Sequence, residues 1–220
     1  MRATRDRYRP GLVAVAPFLA PIFAIGVSFG LLARSTGWPA LAAVAMSLVV
    51  FSASAQLASV GVLHAGGSAG TAIAAGLLAH LRYLPMAAAI APWLRGSRLR
   101  RALEAQAVVD VSWLLARRGS AFDRDVLIGA TAPQYVLWAA GTAVGAYAGN
   151  ALVDPHRLGL DVVFPAFFVF LLVAELRPRQ ARPTALLAAA LALAAIPLTP
   201  PGVPILIASL AALTGRRAAA

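Results

Sequence analysis

The sequence predicts an all-helical protein that crosses a membrane several times. Of its 220 residues, 60% are hydrophobic and only 12% are charged, and the mean hydropathy is +0.80. Soluble domains contain about 25% charged residues, so this composition excludes an ordinary soluble fold. Several apolar stretches also exceed the ~18 residues that mark a membrane-spanning helix. Helices are expected because open sheets and loops cannot satisfy their backbone polar groups in lipid.

The charged residues favour a membrane protein over a nucleic-acid-binding protein. The net charge is +11, and every basic residue other than histidine is arginine. These arginines stand in short clusters between apolar stretches, which is the flanking charge that orients membrane helices. The chain contains no cysteine, so disulfides, thiolate metal sites and cysteine nucleophiles are excluded. Its three histidines are widely spaced, and no metal or other cofactor is expected.

Seven apolar stretches and one weaker stretch predict six to eight membrane segments. The apolar stretches are residues 11–33, 38–63, 68–94, 126–149, 160–176, 183–199 and 201–215. The weaker stretch, residues 102–118, contains Glu104 and Asp110 and lies either in the membrane or at its surface. An arginine-rich N-terminus precedes the first apolar run, which is too long for the core of a signal peptide. We therefore interpret that run as an uncleaved first span.

The distribution of arginine predicts a cytoplasmic N-terminus, from which residues 11–33 and 38–63 cross out and back. Membrane proteins concentrate basic residues in cytoplasmic loops. If residues 68–94 then dip into the membrane and return, sixteen loop arginines are cytoplasmic and two are external; if they cross, the numbers are twelve and six. Charge therefore favours a broken or re-entrant segment. Gly76 and Pro85 agree with a break, because proline removes a backbone donor and disrupts the helix before it.

A weak internal repeat favours the opposite choice for the same segment. Residues 49–57 (VVFSASAQL) align with residues 168–176 (FVFLLVAEL), and each follows a helix with an Ala-Pro step and a Gly-xxx-Gly pair. The sequence predicts a single membrane domain, residues 1–220. It then consists of two repeat halves, residues 10–94 and 126–215, joined by a linker, residues 95–125. Three helices on each side of a linker require residues 68–94 to cross completely. Both alternatives stay open on sequence grounds.

Arg82 is an informative residue because it stands in the middle of an apolar stretch. A guanidinium at the centre of a membrane costs roughly 2.5–3.5 kcal/mol on insertion scales. A ligand carboxylate, a buried acid such as Asp110 or Glu175, or free carbonyls at a broken helix can offset this cost. The alternatives are a structural ion pair, or a side chain that extends to water from a re-entrant tip. Arg82 and its neighbour Tyr83 are therefore candidate binding residues.

Other polar residues in or near the apolar stretches complete the candidate site. His80 is predicted either to relay protons or to donate one interhelical hydrogen bond. Ser52 and Gln56, one helical turn apart, form a polar stripe that faces a cavity or another helix. Asp110 is the best candidate for proton coupling or for binding a ligand ammonium if its segment enters the membrane, and is an ordinary solvated residue otherwise. Glu175 is a second coupling or ion-pair candidate, expected at the cytoplasmic surface.

Six motifs, taken in their order and spacing, resemble the AzlC family of membrane proteins. They are PIFAIGVSFGLLARSTGW (21–38), VVFSASAQLASVGVL (49–63), AHLRYLPMA (79–87), VVDVSWLLA (108–116), LWAAGTAVGAYAG (137–149) and PAFFVFLL (165–172). The resemblance covers about residues 10–215. Three positions differ from the family's usual residues, since Ala53, His80 and Val111 stand where glycine, asparagine and glutamate are usual.

The resemblance implies a transporter that exports leucine, isoleucine, valine and related hydrophobic amino acids. AzlC proteins are the large subunits of such exporters and work with a small AzlD-type membrane subunit. The expected location is the inner (plasma) membrane, and the expected mechanism is alternating access with the substrate carboxylate on Arg82. An enzyme is not expected, because the sequence has no His-Glu-x-x-His metal motif and its acids form no close pair suited to general acid and base work. A non-catalytic assembly subunit and a transporter of another small amphipathic substrate remain alternatives.

Overall fold

The computed structural model describes residues 2–64, 66–148 and 179–199, with isolated positions between 169 and 211. The described chain is mainly helical, as the sequence predicts. Its α-helices are α1 (Arg2–Val15), α2 (Leu19–Ser35), α3 (Ala40–Val50), α4 (Ala53–His64), α5 (Ala69–His80), α6 (Tyr83–Ile90), α7 (Arg98–Ala105), α8 (Asp110–Ala116), α9 (Arg124–Ala148) and α10 (Ala181–Ala195). The shorter elements are the 3-10 turns Ala16–Phe18, Ala91–Trp93 and Ile196–Leu198 and an antiparallel hairpin of β1 (Arg117–Arg118) and β2 (Ala121–Phe122).

Three described helical segments are long and apolar enough to cross a membrane: Asp6–Ser35, Ala69–Trp93 and Ala181–Leu198. Helix α9 has 25 residues and extends over about 37 Å, more than the ~30 Å hydrocarbon core. It lies at the centre of the described bundle, where it packs against α1, α2, α3 and α8. The predicted all-helical membrane fold is confirmed, whereas the count of six to eight segments stays a prediction.

Helices α2 and α9 pack closely and run in the same direction. A Cβ atom on Gly26 would lie 2.7 Å from the carbonyl oxygen of Trp138, and one on Gly30 would lie 2.7 Å from the backbone nitrogen of Ala146. The residue numbers of the contacting positions thus rise together along the two helices, so the helices are parallel. The Gly-xxx-Gly pairs of the two helices therefore have a packing role, because small residues let helix backbones approach closely.

The two ends of the bundle differ in charge. At the end where α9 begins, Nε of Arg7 donates a hydrogen bond to Asp125 at 2.6 Å, and Nε of Arg124 donates to Glu104 at 2.8 Å. Three arginine clusters lie at this end: the N-terminus, residues 95–101 and residues 117–124. We call this the basic end. The opposite end contains the C-terminus of α2, because α1 and α2 run in the same direction as α9.

Helices α3 and α4 form a re-entrant hairpin that enters from the opposite end. Helix α3 starts after the last turn of α2, and the hydroxyl of its Ser47 hydrogen-bonds at 2.8 Å to that of Thr142, in the last third of α9. It ends at Phe51, whose backbone is left-handed with φ 43°. Helix α4 then runs antiparallel to α5, since the Ser59 hydroxyl donates to the carbonyl of Ala72 at 3.0 Å and a Cβ atom on Gly76 would lie 3.2 Å from the carbonyl oxygen of Ala55. Residues 38–63 therefore return to the opposite end, which corrects the expectation that they cross.

Helices α5 and α6 form one interrupted crossing. They are joined by Leu81 and Arg82, which keep right-handed helical angles, so the chain does not reverse. Pro85 accounts for the interruption, because it cannot donate to the carbonyl of Leu81, which accepts from the N–H of Leu84 at 3.0 Å instead. The C-terminus of α6 lies at the basic end, where Arg101 donates a hydrogen bond to the carbonyl oxygen of Ala91, directly after α6, at 3.0 Å. The predicted break is observed, and the geometry favours a crossing over a re-entrant loop.

A second re-entrant segment enters from the basic end and contains α8. Helix α7 lies at that end, and the chain then descends along α9, where the Thr131 hydroxyl donates to the carbonyl of Ala107 at 3.1 Å. The deepest point is reached near Asp110, at the start of α8. Helix α8 returns, and the N–H of Asp123 donates to the carbonyl of Ala116 at 2.8 Å. Residues 107–116 of the weak stretch thus enter the bundle, whereas Glu104 stays at its basic end.

These two re-entrant segments resolve the conflict between the charge pattern and the repeat. Because residues 38–63 return to their starting end, residues 68–94 cross and still place the following arginine cluster at the basic end. These three clusters, the N-terminus and residues 95–101 and 117–124, then share one end, in agreement with the positive-inside rule. The repeat itself stays a prediction, since most of its second half, including residues 168–176, lies outside the described residues.

Glu104 joins α7 to α9 at the basic end and provides a pH-dependent test of this packing. Its carboxylate accepts hydrogen bonds from Arg124 and Arg100, and these lower the pKa of Glu104 from 4.5 to about 2. A depressed pKa contributes stability that is complete above about pH 4.5 and is lost as the pH falls towards 2. We expect Glu104→Gln to lower the stability of the detergent-solubilised protein by roughly 1–3 kcal/mol at neutral pH.

The measurement is thermal unfolding of wild type and Glu104→Gln between pH 2.5 and 8. The difference in melting temperature should be constant above pH 5 and should narrow below pH 4.5. A difference that persists unchanged at pH 2.5 would contradict the assigned ion pair.

Candidate functional site: a charged cluster at mid-depth

Three interruptions of helical structure meet near the middle of the bundle. They are the α3–α4 reversal at Phe51–Ser52, the α5–α6 junction at Leu81–Arg82, and the loop that ends at Asp110. The nearby Gln134 is ten residues from the start of α9, which corresponds to about 15 Å, or half of the hydrocarbon core. Interrupted backbone at this depth is tolerated where it is buried in protein or lines a cavity. This meeting point is the candidate site.

Arg82, Tyr83 and Asp110 form a closed cluster at this point. Nη2 of Arg82 donates to Oδ2 of Asp110 at 2.7 Å and to the hydroxyl oxygen of Tyr83 at 3.0 Å. The Tyr83 hydroxyl donates to the same Oδ2 at 3.1 Å. The guanidinium of Arg82 also lies over the Tyr83 ring, 4.8 Å from its centroid. Asp110 is therefore the acid that offsets the cost of placing Arg82 at this depth.

A cavity of about 50 Å³ adjoins the cluster. Its wall is mainly apolar and comes from five parts of the chain: Ile22, Ile25, Phe51, Ala53, Tyr83, Val109, Asp110, Val111, Gln134 and Trp138. A space of this size holds a few water molecules. An amino acid with an aliphatic side chain is larger, so the described state is a narrow one in which the pair of Arg82 and Asp110 is closed.

Gln56 belongs to a buried network behind the cavity wall. Its side chain is completely buried, and its Nε2 donates to the hydroxyl of Ser47 at 2.8 Å, while its Oε1 accepts from the indole N–H of Trp138 at 3.0 Å. The Ser47 and Thr142 hydroxyls hydrogen-bond to each other at 2.8 Å. The polar stripe of α4 thus faces other helices, and Gln56 positions Trp138, which lines the cavity.

Ser52 and His80 both lie beside Tyr83 of the cluster. Ser52 is buried at the start of α4, where its hydroxyl accepts a hydrogen bond from the N–H of Ala55 at 3.4 Å. His80 is exposed, and its ring meets the edge of the Tyr83 ring with centroids 5.0 Å apart. It lines a second cavity of about 60 Å³, on the side of α7. A proton relay through His80 stays a prediction.

The structure brings Arg82, Tyr83 and Asp110 into direct contact, whereas Glu175 lies outside the described residues. Sequence reasoning missed Gln134 and Trp138, which reach the cavity from α9. A signal for both was present, because a glutamine and an indole one helical turn apart in an apolar helix indicate a face that contacts protein rather than lipid. The binding roles of all these residues stay predictions.

One further motif is explained by helix capping. Residues 66–70 read GGSAG and match the Gly-x-Ser-x-Gly pattern of serine hydrolases. In such enzymes the serine follows a strand, whereas here Ser68 follows α4 and caps the N-terminus of α5. Its hydroxyl accepts from the N–H of Thr71 at 3.2 Å. Capping of α5 therefore accounts for a serine at this position.

Comparisons with known proteins identify the family of the chain. The family model described as AzlC protein matches residues 17–152, which include both re-entrant segments and the whole of α9. An uncharacterized membrane protein of Archaeoglobus fulgidus is 30% identical over 178 residues, which cover 80% of this chain and 78% of that protein. No solved structure matches the chain. The chain therefore belongs to the AzlC family and is a multi-pass membrane protein with a transporter-like role.

Proposed function

We propose that the protein exports leucine, isoleucine, valine or a related hydrophobic amino acid by alternating access. The observation that carries this proposal is the ion pair of Arg82 and Asp110 at the meeting point of three chain interruptions. Charged side chains at such depth mark substrate or ion pathways in membrane proteins. Transporters also place substrate near the midplane, where helices are discontinuous.

Arg82 provides the group that binds the substrate carboxylate. The planar guanidinium can donate two parallel hydrogen bonds to a carboxylate. Its present partner, Asp110, is also a carboxylate and accepts one hydrogen bond from Nη2 at 2.7 Å, which supports carboxylate binding at this guanidinium. The N-terminus of α4, which lines the cavity at Ala53, adds a partial positive charge. When the substrate carboxylate replaces that of Asp110, the positive charge of Arg82 stays balanced throughout the transport cycle.

The cavity wall supports an aliphatic substrate. Ile22, Ile25 and Val111 present hydrocarbon surface beside the charged cluster, and Trp138 closes one side. Apolar walls with a few polar groups are typical of sites that fix one end of a small ligand and accept its side chain by shape. The site must widen to admit the substrate, and the re-entrant segments can move against the tightly packed pair of α2 and α9.

The orientation and the partner are part of the same proposal. The concentration of arginine supports a cytoplasmic basic end, hence a cytoplasmic N-terminus in the inner membrane. Membership of the family supports a small AzlD-type subunit as the partner of this large subunit. We propose transport without catalysis, because the charged cluster contains a single carboxylate and no activated nucleophile among its members.

The test is efflux of radiolabelled leucine from preloaded cells that express the chain with and without an AzlD-type partner. We expect wild type to export leucine and Arg82→Gln to lose most of this flux, because glutamine cannot compensate the substrate carboxylate. Arg98→Gln is the matched control, since Arg98 is exposed on α7 and away from the site. Membrane levels of each variant are measured by immunoblotting.

Each other result indicates a different function. Normal efflux by Arg82→Gln would make the ion pair purely structural and favour the assembly-subunit alternative. If no variant exports leucine although both subunits reach the membrane, the substrate is another small amphipathic molecule. The positions Ala53, His80 and Val111, which differ from the usual family residues, are then the first places to examine for the change in specificity.

A further inference from the structure

We infer that the site selects zwitterions: Arg82 binds the carboxylate of the solute, and Asp110 binds its ammonium group. This inference rests on the proposed transport function and deepens it. It names the two charges that a substrate must carry, and it excludes amines and carboxylic acids that have the same hydrocarbon part.

The first support is the position of Asp110 in the cavity wall. Asp110 lines the cavity and its side chain is 22% exposed. Arg82 and Tyr83 both bind the Oδ2 oxygen of this residue. A carboxylate has about four acceptor positions on its two oxygens, so Asp110 has capacity for an ammonium donor while it still accepts from the Tyr83 hydroxyl.

The second support is the distance between the two charged groups. Nη2 of Arg82 and Oδ2 of Asp110 are 2.7 Å apart. An α-amino acid carries its carboxylate and its ammonium on the same carbon atom, so both charges can meet adjacent partners at the same time. A solute with widely separated charges cannot reach both groups at this point of the cavity.

The third support is the charge balance at mid-depth. The pair of Arg82 and Asp110 is neutral overall, and a zwitterion inserted between its members leaves the sum unchanged. A solute with a single charge leaves one unit of charge uncompensated, which is costly in a region of low dielectric. The site therefore discriminates by charge first, and the apolar wall then selects the side chain.

The experiment is competition for leucine transport by two analogues that each lack one charge. One is 4-methylpentanoate, which has no ammonium group, and the other is 3-methylbutylamine, which has no carboxylate. In wild type with its partner subunit, we expect both analogues to compete at least about 10-fold more weakly than unlabelled leucine. In Asp110→Asn, the apparent affinity for leucine should fall at least about 10-fold. The apparent affinity for 4-methylpentanoate should instead be higher than in wild type, because Arg82 is then available to it.

A conservative variant and a direct binding measurement separate the outcomes. Asp110→Glu keeps the charge and should retain the preference for leucine over 4-methylpentanoate, and it decides the question if Asp110→Asn fails to fold. Equal competition by leucine and 4-methylpentanoate in wild type overturns the inference while leaving leucine export intact. If purified wild type shows neither leucine transport nor a thermal shift with leucine, the proposed function itself is wrong.

Discussion

Replacement of Arg82 by glutamine is expected to destabilise the folded protein by about 3–5 kcal/mol. The substitution leaves the carboxylate of Asp110 at mid-depth without its counter-charge, and removing one partner of a buried ion pair has this typical cost. The Tyr83 hydroxyl still donates to Asp110 at 3.1 Å, but a neutral donor does not balance a charge. Asp110→Asn should be destabilising by a similar amount for the reciprocal reason.

The double variant Arg82→Gln/Asp110→Asn is expected to recover most of the lost stability and none of the transport. Neutral groups of similar shape often replace a buried ion pair without loss of stability. We expect its unfolding free energy to lie within about 1 kcal/mol of wild type, which gives a coupling energy of several kcal/mol between the two positions. Leucine efflux should be absent in Arg82→Gln and in the double variant, and strongly reduced in Asp110→Asn.

Reversible unfolding in mixed micelles provides the free energies for this cycle, and size-exclusion profiles confirm that each variant is monodisperse. If the two single variants and the double variant are additive, Arg82 and Asp110 are not paired in the membrane. If the double variant is stable and still exports leucine, the cluster has no role in transport. The double variant also serves as a folded, inactive control for the efflux measurement.

The second large effect is expected at the contact between α2 and α9. A Cβ atom on Gly145 would overlap the carbonyl oxygen of Val27 and would lie 3.0 Å from the backbone nitrogen of Leu31. Backbone atoms cannot move aside as a flexible side chain can, so the two helices must separate. We expect Gly145→Ala to destabilise the protein by about 3 kcal/mol or more, at the upper end of overpacking effects.

Gly61→Ala is the matched control for this substitution. Gly61 lies in α4, and a Cβ atom there meets nothing within 4 Å. Because alanine favours helix more than glycine by up to ~1 kcal/mol, this control should be neutral or slightly stabilising. Thermal unfolding in detergent measures both variants. Equal melting temperatures for Gly145→Ala and wild type would show that α2 and α9 do not approach as closely as described.

The helical membrane fold could be predicted because lipid leaves few structural choices, but the re-entrant hairpin could not. Residues 38–63 are apolar over a length sufficient to cross, and nothing in their composition requires a return. Helix α3 ends at Phe51, which has a left-handed conformation that glycine or asparagine would usually mark. The reversal is set by contacts with α9 and α5, which are distant in sequence.

The candidate site was predicted in part, for a similar physical reason. Arg82 was identifiable because its charge conflicts with its apolar surroundings, and Asp110 because it was one of two acids available to pair with it. The choice between these acids depended on whether the weak stretch 102–118 enters the membrane, which its hydropathy did not decide. Trp138 and Gln134 come from a helix whose position beside the cavity is a consequence of tertiary packing.

The hydrogen bonds between the re-entrant hairpin and α9 also constrain the order in which the protein is assembled during synthesis. Ser47 and Thr142 are 95 residues apart, and Gln56 and Trp138 are 82 residues apart. At translation rates of 5–20 residues per second, the second member of each pair emerges about 5–20 s after the first. The hairpin therefore enters the bilayer before its permanent partners exist, and its polar side chains depend on temporary ones until the ribosome has delivered α9.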